Sequence, residues 1–191
     1  MKHIILIGHK KRQGKDTFAE MLQAHTGGTI IRFADPMKEI IADTLGMSLD
    51  ELELIKNAEL PITLPPKNGM LAQTNARVIL QRFGTEAMKK QFGKNVWGEL
   101  LLEKAVLLGA ETTIVPDFRF EEEYQYLMRN TAARIITVNI VRPGASSGDE
   151  HLSEKGLDGF PYDWVIDNDT DMAGLDWSAE LFARRLIDGN L

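Results

Sequence analysis

The chain has 191 residues, 43% of them hydrophobic and 26% charged, with a formal net charge of −6 and no cysteine. That length fits one domain with a sizeable core. The missing cysteines exclude disulfides and thiolate metal sites, and the acidity argues against a protein that lives on nucleic acid.

No apolar stretch approaches the roughly 18 residues of a membrane span. The apolar start Ile4–Ile7 is too short for a signal peptide, so a cytoplasmic protein is expected. Residues 3–8 form a β-branched run and read as a buried strand. Residues 15–26 read as a helix with Phe18 and Leu22 inward, and residues 29–33 as a second strand. Asp35 before Pro36 predicts a helix over 36–45, ended by Gly46. Residues 60–71 hold Pro61, Pro65, Pro66 and Gly69 and read as a long loop.

Helical patterns follow at 74–83 and 95–108. A third strand covers 112–115, ending at Pro116-Asp117, and a helix covers 120–130. The fourth strand is 135–141, closed by Arg142-Pro143-Gly144. Residues 143–161 are polar and read as a loop, before a fifth strand at 164–166 and a last helix at 176–188. Strands alternating with helices predict an α/β three-layer sandwich, with a five-stranded parallel sheet covered on both faces. Ligands of such sheets bind beyond the carboxyl ends of the strands. Gly8, Asp117 and Arg142 each stand at such an end.

The stretch from Gly8 to Thr17, GHKKRQGKDT, joins the first strand to the first helix. It has the character of a phosphate-binding loop, in which backbone amides and a helix N-terminus cradle an anion. Its spelling differs from the usual one in two ways. Five residues separate Gly8 from Gly14, where the motif has four, and Asp16 stands where Ser or Thr is usual. Lys15 would neutralise β- and γ-phosphate oxygens, Asp16 could hold hydrated Mg2+, and Thr17 could donate to an α-phosphate. Lys11, Arg12 and Gln13 line the loop, although a solvated surface reading of its basic residues stands beside the phosphate one.

Asp117 at a strand end can hold Mg2+ through water, and Arg119 can stabilise charge on a transferring phosphoryl group. The competing structural reading makes Asp117 a helix cap and pairs Arg119 with a glutamate, one of Glu121, Glu122 and Glu123. Arg77 and Gln81 are four residues apart on one helix face, suited to a phosphate and a base edge, or simply exposed. Trp97 fits base stacking or the core. Arg142 opens a polar stretch with His151 and Glu154, suited to a lid. His151 reads more simply as a surface imidazole.

Together these residues resemble the phage-type deoxynucleoside monophosphate kinases of the P-loop kinase superfamily. The matching pieces are GKDT at 14–17, FADPMK at 33–38, LQRFGTE at 80–86 and VW at 96–97. IVPDFRFEEE at 114–123, VRPG at 141–144, DEHLSEKGL at 149–157 and DWVIDND at 163–169 complete the set. The GKD spelling is itself a trait of that family. The resemblance implies an NMP-kinase-like fold in a single domain over 1–191, with an acceptor-nucleotide region at 45–95 and a lid at 143–161. It implies ATP and Mg2+, and transfer of the ATP γ-phosphoryl group to a (d)NMP. Lys15, Asp117, Arg119 and Arg142 would be catalytic, with Asp16 and Asp117 serving the metal. Asn168 would lie beside the adenine. Lys38, Arg77 and Gln81 would lie near the acceptor, with Asp35, Thr85 and Trp97 as further candidates.

No nucleic-acid or membrane partner is expected, and a homodimer is left open. The nearest rival is a phosphomevalonate-kinase-like enzyme, which shares the GKD loop and the Asp-x-Arg pattern. Dephospho-coenzyme A kinase fits VPDFR poorly, and a GTPase would need a lysine after Asn168. A nucleotide-binding regulator without turnover is the rival of a different class.

Overall fold

The computed structural model describes residues 1–8, 10–67, 70–145 and 155–189. His9 and residues 146–154, which include His151 and Glu154, lie outside them. The described chain divides into two compact units, one of residues 1–33 with 97–191 and one of residues 34–96.

The first unit is built on β1 (His3–Gly8), β2 (Thr29–Ile30), β5 (Thr112–Phe118), β6 (Arg134–Val141) and β7 (Trp164–Asp167). The strands run in the order β2-β5-β1-β6-β7, and every pairing is parallel. The sheet is therefore the expected one. Its helices are α1 (Lys15–Thr26), α6 (Val96–Leu107), α7 (Glu121–Asn130) and α8 (Met172–Ile187).

Alternate residues of a strand face opposite sides. Ile5 and Ile7 join Phe18 and Leu22 of α1 and Leu175 and Phe182 of α8 in one core. Ile4 and Leu6, on the other face, are just as fully buried. Both faces are covered, which is why β1 reads as an unbroken apolar run. At the outer end of α1, His25 Nε2 lies 2.9 Å from Asp176 Oδ1 of α8.

The second unit holds α2 (Asp35–Leu45), α3 (Leu49–Asn57), β3 (Pro61–Lys67), β4 (Met70–Asn75), α4 (Ala76–Gln81) and α5 (Lys90–Phe92). A π-helical stretch, Arg82–Lys89, links α4 to α5. The unit has its own core of Ile41, Ala42, Leu52, Ile62, Ala76 and Leu80.

Here the sequence reading needs correction. The predicted loop over 60–71 is an antiparallel strand pair, with Ile62 opposite Thr74 and Leu64 opposite Ala72. Each strand of a two-stranded sheet has an open edge, so proline's missing N–H is tolerated there. The register slips between Leu64 and Lys67, where Pro65 and Pro66 fall. The helix α3 was not expected either. It opens on a reciprocal cap in which Ser48 Oγ accepts from Glu51 N and Glu51 Oε2 accepts from Ser48 N at 2.7 Å.

Glu53 of α3 joins Lys38 of α2, 2.7 Å away, and Lys56 on its own helix. Burial alone would raise its carboxyl, but hydrogen bonds and charge from the two lysines outweigh this and hold it below the ordinary value of 4.5. The unfolded chain then binds this proton more readily than the folded one. The pair's contribution is complete above the ordinary value and is lost as pH falls through the lowered one. In urea titrations, Glu53→Gln is expected to flatten the acid limb of the stability curve between about pH 5 and pH 3. A limb as steep as the wild type's would show that this carboxylate does not carry it.

Candidate active site at the carboxyl ends of the central strands

The site starts where β1 stops. Gly8 is the last residue of that strand, and a Cβ there would stand 2.8 Å from Phe118 Cδ1, 2.8 Å from Tyr162 Oη and 3.1 Å from Leu157 Cδ1. Close approach to these side chains therefore explains Gly8. Phe160 stands edge-on to both Phe118 and Tyr162, with ring centroids 5.4 and 5.0 Å apart. Burial pushes the Tyr162 hydroxyl well above its ordinary range; Arg119 opposes this and Asp158 adds to it. Gly8→Ala would overpack the cluster at a cost of about 1–3 kcal/mol. A fall in Tm of about 2–10 °C is expected by thermal denaturation, and an unchanged Tm would show that the cluster yields freely.

Among the described residues of the loop after Gly8, Arg12 (φ 63) and Gly14 (φ 94) are left-handed. Gly14 is the N-cap of α1 and has no side chain to cap it. By contrast, Ser48, Asn75 and Asp171 cap α3, α4 and α8 with side-chain oxygens. α1, like α2, thus starts without a side-chain cap.

Lys15 is buried, 6% exposed, and its ammonium donates to the backbone oxygen of Lys10 in the same loop. The Lys10 ammonium lies 3.3 Å from Asp158 Oδ1. Thr17 is half-buried one position beyond Asp16.

The two proposed metal carboxylates meet neighbouring residues. Asp16 is largely exposed, and its Oδ1 accepts from Arg32 Nη2 at 3.0 Å. Asp117 Oδ1 accepts from the backbone N–H of Phe33 at 3.0 Å. A bulge explains how Asp117 is aimed. Leu6 pairs with Val115 but Gly8 pairs with Phe118, so β5 carries one extra residue. Pro116, which cannot donate to the ladder, lies in that interval.

Glu123, 8% exposed, accepts from the backbone N–H of Arg119 at 3.0 Å and of Phe120 at 3.1 Å. Of the three glutamates, this one fixes the backbone that carries Arg119. Asn168 is buried beside the loop, donating through Nδ2 to Gln13 O at 2.9 Å. Arg142 is exposed just past β6.

Of the acceptor candidates, Asp35 is the first residue of α2 rather than its cap. Lys38 pairs with Glu53, and Arg77 and Gln81 are half-buried on α4. Thr85 lies in the π-helical stretch. Trp97 is 6% exposed, the degree of burial expected of its core alternative. Sequence reasoning did not single out Arg32, Glu53 or Tyr162. Arg32 directly precedes the FADPMK stretch, and that position was the one available signal.

A parallel sheet in this order, with a glycine-lysine loop leading from its central strand into a helix, defines a P-loop kinase fold. The family described as Deoxynucleotide monophosphate kinase matches residues 67–178, more than half of the chain, and the chain belongs to that family. It is similar to the deoxynucleotide monophosphate kinase of Enterobacteria phage T4, with 26% identity over 229 aligned residues, covering 88% of this chain and 93% of that protein. Among solved structures it resembles shikimate kinase from Acinetobacter baumannii (13% identity, TM-score 0.44, covering 100% of this chain and 94% of that one). It also resembles an unliganded sugar kinase from Janibacter sp. HTCC2649 (14% identity, TM-score 0.45, covering 96% and 95%). The fold is read from the strand order, and these two likenesses add nothing to it. The protein is a phosphotransferase acting on a nucleoside monophosphate, which disfavours the phosphomevalonate and non-catalytic alternatives. Among the described residues, no helix is long and apolar enough to cross a membrane.

Proposed function

We propose that the protein transfers the γ-phosphoryl group of ATP to the 5′-phosphate of a deoxynucleoside monophosphate in the cytoplasm. A phosphate oxygen of the acceptor forms the new bond to the γ-phosphorus. The bond from that phosphorus to the β-bridging oxygen breaks, giving ADP and the nucleoside diphosphate. The acceptor is already an anion, so the reaction requires positioning and charge neutralisation rather than a strong base.

The observation that carries this reading is the buried Lys15 ammonium held by a carbonyl of its own loop, at the glycine-led start of α1. In the complex, Lys15 exchanges that carbonyl for β- and γ-phosphate oxygens, and Thr17 donates to the α-phosphate. Lys11 and Arg12 add positive charge at the loop. Arg119 and Arg142 balance charge on the group in transfer. Asn168 supports the adenine side, and Lys38, Arg77 and Gln81 serve the acceptor.

The donor set fits Mg2+, a hard ion usually bound by one or two carboxylates together with phosphate oxygens and water. Asp16 and Asp117 would hold it, and they are tied to the consecutive residues Arg32 and Phe33. When bound, Mg2+ neutralises charge on the phosphate oxygens.

The direct test is ADP release with a panel of NMPs and dNMPs, with phosphomevalonate and dephospho-coenzyme A as controls. Turnover with at least one dNMP and none with the controls is expected; a control that outpaces every nucleotide would overturn the reading. Asp117→Asn then separates structure from chemistry. The amide oxygen can still accept from Phe33 N, so Tm should hold within a few degrees while kcat falls about a hundredfold or more. Undiminished turnover in that variant would remove Asp117 from the metal site.

A further inference from the structure

Gln13 is 7% exposed, although the adjoining Arg12 is open to solvent and Lys11 is half-buried. A glutamine is rarely so buried unless both ends of its amide are matched. Here Nε2 donates to Ala145 O at 2.9 Å, and Oε1 accepts from the backbone N–H of Arg142. Those two groups bracket the turn Arg142-Pro143-Gly144-Ala145, which is closed by Ala145 N donating to Arg142 O at 3.1 Å. The side-chain amide thus bridges the two ends of the turn.

A second link runs through Asn168. Its Nδ2 donates to the Gln13 backbone oxygen, and its own N–H donates to Val141 O at 2.7 Å. A closed ring of hydrogen bonds joins the phosphate loop to the segments that follow β6 and β7.

We propose that Gln13 is a positioning residue: it fixes the backbone of Arg142 to the phosphate loop rather than contacting phosphate itself. The inference rests on the reading of Arg142 given above. A long exposed arginine is useful to a transferring phosphoryl group only if its base is held relative to that group. Gln13 supplies that anchor from the same loop that would bind the phosphates, two residues before Lys15. A phosphate ligand would need its polar atoms turned to the nucleotide, whereas here each end of the amide meets main chain.

The test is a double-mutant cycle on the full chain, using ATP and whichever dNMP turns over fastest. R142A is expected to lower kcat about a hundredfold, and Q13A about tenfold or more. The double variant should fall no further than R142A within about twofold, because residues that act through one another are not additive. KM for ATP should change less than about threefold in Q13A. In ligand-free protein, NMR should show faster amide exchange at Arg142 in Q13A than in the wild type. If Q13A does not fold, Q13M, which keeps most of the volume but removes both hydrogen bonds, enters the same cycle.

Losses that multiply in the double variant would overturn the proposal while leaving Arg142 in its role. A Q13A variant with a raised ATP KM and unchanged Arg142 exchange would restore Gln13 as a phosphate ligand. An unimpaired R142A would overturn both readings.

Discussion

Lys15→Ala is expected to lower kcat on the order of a hundredfold, the effect of losing about 3 kcal/mol of transition-state stabilisation. The residue is 6% exposed, and its ammonium is held inside the loop by Lys10 O. Truncation would also leave a gap, lowering stability. Lys15→Met separates the two effects, since it fills most of the volume without charge. Both variants should lose kcat alike in a coupled ADP assay, while only Lys15→Ala should lose several degrees of Tm. Turnover near wild type in Lys15→Met would sink the assignment of this lysine.

Gly14→Ala is expected to be the more damaging change to the fold. The residue sits at φ 94, and a Cβ there would lie 2.5 Å from Asn168 Nδ2. A non-glycine residue in left-handed backbone costs about 1–2 kcal/mol. Displacing Asn168 breaks its bond to Gln13 O, and a buried donor left unmatched adds about 1–3 kcal/mol. Together these predict a fall in Tm on the order of 10 °C. Because Lys15 follows directly, kcat/KM should drop at least tenfold even where the variant is folded. A Tm within about 2 °C of wild type, with full activity, would show that the loop and Asn168 move apart easily.

The five strands of the sheet were legible because burial on both faces leaves runs such as Ile4–Ile7 and Ile135–Val141 with little polar interruption. The hairpin of the second unit was not, because three prolines within seven residues read as a loop until the open edges are known. The α3 helix carried its start signal, Ser48 followed three residues later by Glu51; the surrounding lack of any recognised motif hid it. The π-helical stretch has no composition of its own, since it differs from an α-helix only in which carbonyl each amide reaches.

At the site, the local features were visible: the GKD spelling, the strand-end Asp117 and the Asn168 loop. The side-chain pairings were not. Gln13 meets Arg142 across 129 positions and Asp117 meets Phe33 across 84. Nothing in a single sequence marks such a pair. Gly8 lies inside β1, packed against Phe118, Tyr162 and Leu157, and the next residue, His9, lies outside the described residues.

The unit of residues 34–96 is one unbroken stretch with an apolar core and a lysine–glutamate–lysine bridge of its own. It can therefore be exchanged by cutting the chain at only two peptide bonds, Phe33–Ala34 and Val96–Trp97. Recombination at those junctions would graft another relative's Lys38, Arg77 and Gln81 region onto an unaltered GKD loop. On the proposed residue roles, such a cassette would carry the acceptor side of the reaction and leave the residues assigned to the triphosphate unchanged.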